Sequence, residues 1–135
     1  MDQATNTVRR TPGVLLASLP LVLLLASLLV AMTRPQEAGT VATVVMAVAC
    51  LIAGLNSYLS FVRPALFSVR HGGMEGYRNS SGVPMIGTLF VCIGGLLGFA
   101  SPVIAVAGIL AYLLDTGGYA WFVFTTWQDR SLWDG

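Results

Sequence analysis

The chain has 135 residues, of which 56% are hydrophobic and only 10% charged, and a mean hydropathy of +0.78, whereas soluble domains carry roughly 25% charged residues. Its seven basic residues, all arginine, face six acids for a net charge of +1, which excludes the dense basic face that nucleic-acid binding requires. The ionisable residues cluster in short segments and leave four apolar blocks, each near the roughly 18 to 20 residues that a helix needs to cross a bilayer. The expected fold is an all-α integral membrane protein, a single antiparallel bundle of four transmembrane helices.

The first expected span covers residues 13–32 and follows Arg9 and Arg10. A signal peptide also starts this way, but its apolar core is about 7 to 15 residues long, and cleavage after Ala31 would put Leu29 at a position that wants a small residue. Pro20 lies inside this span and should kink it. The short connection from Thr33 to Ala38 then forces a hairpin into the second span, residues 39–62. There Ala42, Met46, Ala49, Ala53, Asn56 and Ser60 are spaced 4, 3, 4, 3, 4, which keeps them on one narrow helical face. Without water, helices associate where small residues let backbones approach, so this face should be a packing face. Cys50 and Cys92 sit among aliphatic residues. There a thiol behaves as a small hydrophobe, and neither a disulfide framework nor a cysteine metal site is expected.

The loop 63–82 carries the single histidine, His71, and the acid Glu75. It is glycine-rich without a phosphate-loop or dinucleotide motif, and His71 with Glu75 supplies too few ligands to define a metal site. Arg63, Arg70 and Arg78 are candidates for contacts to anionic lipid headgroups or the interface, although topology by itself also places arginines on this side. Asn79-Ser80-Ser81 has the form of a glycosylation sequon that a cytoplasmic loop would leave unused. The run Tyr77-Arg78-Asn79-Ser80-Ser81-Gly82-Val83-Pro84-Met85-Ile86-Gly87 resembles a loop-to-helix entry of uncharacterised small four-span bacterial inner-membrane proteins. The resemblance implies a small multi-span membrane protein and transfers no activity and no site residue. On chemical grounds Ser81 should cap the next helix and Pro84 occupy its first turn.

The third expected span, residues 83–100, places Gly87, Val91, Gly94 and Gly98 on one face, with a GxxxG pair at Gly94 and Gly98. Ser101 and Pro102 separate it from the fourth, residues 103–124, where Gly108, Ala111, Asp115 and Gly118 step by 3, 4, 3. Asp115 is the single acid inside a span. Burying it costs a few kcal/mol even on lenient insertion scales, so it is a functional-site candidate, or else a hydrogen-bonding acid that glues helices together. Counted from the cytoplasmic ends of their spans, Asp115 lies about nine residues deep, Asn56 about six and Thr88 about five, and with Ser60 and Thr116 nearby in sequence they make a candidate polar layer. Gly117-Gly118 could break the helix there, as in the discontinuous helices of transporters. Asp-Thr-Gly is also the triplet of aspartic proteases, but that chemistry needs a second carboxylate and no other span holds one.

Arg9, Arg10, Arg63, Arg70, Arg78 and Arg130 fall on one side of such a bundle and only Arg34 on the other, so both termini should be cytoplasmic. Tyr119, Trp121, Phe122, Phe124, Trp127 and Trp133 form an interfacial anchor at the end of the last span. The expected function is association in a bacterial inner membrane, as a homo-oligomer or as an accessory or immunity-type subunit of another membrane protein. Its partners are then the lipid bilayer and a membrane protein, with no cofactor, metal or catalytic residue. An oligomeric small-molecule or ion transporter using the Asp115 layer is the alternative. A lipid enzyme built on His71 and Glu75 lacks a convincing constellation. In a background without Cys50 and Cys92, a cysteine at Gln36 should react with an impermeant reagent in intact cells and one at Met74 should not. The reverse labelling pattern would invert the topology.

Overall fold

A computed structural model describes the backbone of residues 3–78, 82 and 85–127, and the side chains among them from 12 to 124. Its elements are α1 (Gln3–Thr33), α2 (Thr40–Ser57), a π-helical turn (Tyr58–Val62), α3 (Arg63–His71), α4 (Ile86–Leu97), α5 (Pro102–Leu114) and α6 (Tyr119–Trp127), with no strand among the described residues. Three stretches are long and apolar enough to cross a membrane, Pro12–Thr33, Thr40–His71 and Pro102–Phe124, while Ile86–Leu97 is shorter. The fold is therefore all-helical, and its apolar helices are those of a membrane protein.

The helices depart from the expected bounds for identifiable reasons. The second does not end at residue 62. It runs on through α3 to His71 and stops where Gly72 turns left-handed at φ 71°, so the loop expected over 63–82 is helical in its first part. Pro64, in the first turn of α3, would remove one backbone bond and clash with the preceding turn. The π turn immediately before it is the local rewinding that lets a membrane helix absorb a proline. The third helix starts at Ile86, capped by Met85 at φ 62°, later than residue 83. The expected roles of Ser81 and Pro84 lie outside the described residues. Pro102 opens α5 in its first turn, as expected, but the fourth stretch is interrupted, with a turn between Leu114 and Tyr119.

Pro20 lies inside α1. Its missing N–H leaves the Leu16 carbonyl without its helical donor, and one residue further along the Tyr112 hydroxyl of α5 donates to the Ala17 carbonyl.

Small residues let the helices meet. Ala42, Met46, Ala49, Ala53 and Asn56 are buried on α2, Gly87, Val91, Gly94 and Gly95 on α4, and Gly108 and Ala111 on α5. A Cβ on Gly94 would lie 3.3 Å from the Met46 backbone nitrogen, and one on Gly108 would lie 2.6 Å from Leu24 Cδ2. Leu24 and Met46 thus fill a central layer that has room for them because the facing residues have no side chains. Gly98 serves a different contact, since its Cβ would press to 2.7 Å against Ile104 across the α4–α5 turn.

At one end, Gln36 N–H donates to Ala100 O at 2.9 Å and Ala100 N–H to Ser27 Oγ at 3.0 Å. At the other, Asn56 of α2 reaches Asp115 beyond α5, beside Gly87 of α4. These contacts require α2 and α5 to point one way and α4 the other.

Leucine at Gly94 or Gly108 should destabilise the protein by about 1–3 kcal/mol, the usual cost of overpacking. Leu29→Ile, at a side chain 66% exposed, should be silent. Thermal unfolding in detergent checks this. Equal melting of all three variants would show that the glycine faces are not contacts.

Candidate functional site: a polar layer at a broken helix

The break follows from composition and from a bond. Aspartate and two glycines are poor helix formers in succession, and the last regular bond of α5 is Asp115 N–H to Ala111 O at 2.9 Å. Thr116 N–H then turns back to Leu114 O at 2.9 Å, and Gly118 N–H closes a turn on Asp115 O at 2.8 Å. Helical bonding resumes with Phe122 N–H to Gly118 O at 3.1 Å. The freed groups find partners on α4 and its cap. Met85 N–H donates to Gly117 O at 2.9 Å, and Tyr119 N–H to Thr88 Oγ1 at 3.2 Å.

Asp115 is 1% exposed and is the only buried acid among the described residues. Asn56, also 1% exposed, donates from Nδ2 to Asp115 Oδ1 at 2.6 Å. The other carboxylate oxygen, Oδ2, has no hydrogen-bond partner among the described residues. It lies against two glycines: a Cβ on Gly87 would collide with it, and one on Gly118 would sit 2.9 Å away. A Cβ on Gly82 would likewise collide with Asn56 Oδ1. Ser60 Oγ and Thr116 Oγ1 share a hydrogen bond of 2.7 Å at the exposed edge. Asn56, Ser60, Thr88, Asp115 and Thr116 are thus brought to one end of the molecule, around the break.

The described arginines stand apart from that layer. Arg34, Arg63, Arg70 and Arg78 are exposed, so none of them neutralises Asp115. Arg63 places its guanidinium 5.8 Å from the centre of the Tyr77 ring, and Phe67 contacts Tyr77 at 5.1 Å and stacks on His71 at 4.1 Å. His71 and Glu75 line a surface hollow of about 470 Å³ with Gly72, Gly73 and Met74. His71 Nδ1 is already engaged with Phe67 O at 3.1 Å, and the described residues contain no group of three metal-ligating side chains.

Sequence reasoning missed three features. The role of Gly82 and Gly87 as a seat for the polar pair depends on which helix faces them, although the spacing of Gly87 marked its face. The Tyr112 to Ala17 bond has no sequence signal beyond a tyrosine and a proline on different helices. The third is an apolar groove of about 520 Å³ between α1 and the α5–α6 stretch, lined by Val14, Leu21, Tyr112, Ala120, Val123 and Phe124.

Compared with known proteins, the chain matches no family model, and no curated protein or solved structure is significantly similar to it. The chemistry of the site therefore rests on its geometry. One buried carboxylate, one amide and one hydroxyl can pin three helices or hold a positive charge.

Asp115→Asn keeps an oxygen for the Asn56 amide and should melt close to wild type. Asp115→Leu leaves that buried donor without this acceptor and should cost about 1–3 kcal/mol. Gly87→Ala should lose a comparable amount by displacing the carboxylate. Circular-dichroism melts in detergent check the series, and a leucine variant as stable as wild type would refute the layer.

Proposed function

We propose that the chain is a small four-span protein of a bacterial inner membrane that works by association, as a homo-oligomer or as an accessory or immunity-type subunit, and carries no catalytic activity. In this reading α4 and its flanking residues make the remaining crossing of an antiparallel bundle, and the arginine distribution holds both termini in the cytoplasm. The lipid bilayer is its first partner.

One observation carries the reading. Besides its buried stripe, α2 has a second row of small residues, Thr43, Ala47, Cys50 and Gly54, which is spaced 4, 3, 4 and exposed along its length. A Cβ on Gly54 would meet nothing within 4 Å. Lipid tails are as apolar as leucine, so small residues on an outer face offer close backbone approach to another helix. The same feature packs the inner stripe against α4 and α5.

An oligomeric small-molecule or ion transporter is the second reading, favoured by the helix break at Asp115, because interrupted helices expose backbone ends to substrates. Liposome flux by a homo-oligomer would select it.

Cys50 makes association testable with a native residue. Mild oxidation of membranes should produce a disulfide-linked dimer that survives Cys92→Ser, disappears with Cys50→Ser and weakens with Gly54→Leu. If oxidation yields no dimer, a homo-oligomer joined through this face of α2 is excluded. If, in addition, purification in mild detergent returns the chain without a stoichiometric partner, association as a whole is overturned.

A further inference from the structure

Buried charges in proteins are paired with an opposite charge or coordinate a metal. Among the described residues, Asp115 has Asn56 on Oδ1, no arginine beside it, and an Oδ2 without a hydrogen-bond partner. The surroundings of Oδ2 are rich in oxygen. The point where a side chain on Gly118 would begin lies 2.9 Å from Asp115 Oδ2, 2.9 Å from the Asp115 carbonyl oxygen and 2.9 Å from Thr88 Oγ1. A carboxylate, a backbone carbonyl and a hydroxyl converge there because residue 118 has no side chain.

Each oxygen retains capacity. Thr88 Oγ1 accepts from Tyr119 N–H and the Asp115 carbonyl from Gly118 N–H, and each of these oxygens has a second lone pair. Oxygen donors favour hard cations. A single carboxylate balances one positive charge, whereas a divalent ion would leave a net charge in the membrane interior, which is costly. The C-terminal end of α5 adds the negative end of its dipole at the same place.

We propose that Asp115 Oδ2, the Asp115 carbonyl and Thr88 Oγ1 are ligands of a small monovalent metal cation bound at the α5–α6 break. Thr88 belongs to α4 and Asp115 to the turn after α5, so the ion ties these elements together and binding stabilises the fold. The inference takes its location from the transporter reading and names that reading's ligand class. Its readout is binding, so it fails separately from flux.

The test is thermal unfolding of the full purified chain in sodium chloride against choline chloride at equal ionic strength. Sodium tenfold above its Kd should raise the melting temperature by about 5 °C. Thr88→Val and Gly118→Ala, the latter placing a methyl where the oxygens converge, should lose the response, and Thr88→Ser should keep it. Asp115→Asn should lose it too; should that variant not fold, the Thr88 pair decides. Equal melting in sodium and choline, or a sodium response that survives both Thr88→Val and Gly118→Ala, would overturn the site.

Discussion

The hydrogen bond from Asn56 to Asp115 is the contact on which the polar end of the molecule depends. A membrane interior provides no water to solvate an amide or a carboxylate, so each must be served by protein. Serving both sets strict conditions. The C-terminal part of α2 must lie beside the end of α5, which makes the two helices point the same way. The backbone of α4 must come close enough for Gly87 to touch the carboxylate, and the chain must leave helical geometry at Asp115 to aim its side chain at α2. The break at residues 115–118 is thus as much a consequence of the bond as of the glycines that permit it.

The middle of the molecule obeys a different rule. There the layer of Leu24, Met46, Gly94 and Gly108 is held by close packing, and dispersion between well-fitted surfaces is the main attraction open to helices in lipid. Ser27 contributes its one hydroxyl to the Ala100 backbone in the α4–α5 turn. The middle is close-packed, and one end concentrates the buried polar side chains of Asn56 and Asp115.

Irregularities in the helices are met locally at Pro64 and at the α5–α6 break. Pro64 has the π turn before it. The groups freed at the α5–α6 break bond to Met85, Thr88 and their own turn. Asp115 Oδ2 departs from this pattern, as a buried side-chain atom without a partner among the described residues. In a chain that otherwise repairs its backbone so thoroughly, that atom is the natural place to look for a ligand.

The sequence by itself determined the helical class, the apolar lengths, the small-residue faces on α2, α4 and α5, and the standing of Asp115 as an acid inside a span. All of these follow from periodicity and from the cost of burying polar groups, which are local properties of the chain. It also singled out Asn56 and Thr88, because depth along a helix is simple arithmetic, and Ser60 and Thr116 as polar neighbours in sequence. Only the tertiary structure decided that Asn56 rather than Thr88 holds the carboxylate, that Gly87 and Gly118 form its seat, and that α3 prolongs α2 past its expected end. It also decided that the fourth stretch is broken and not continuous. Those outcomes depend on which helix faces which and at what rotation. That is set by the joint packing of leucine, methionine and glycine across several helices, and no window along a single helix contains it.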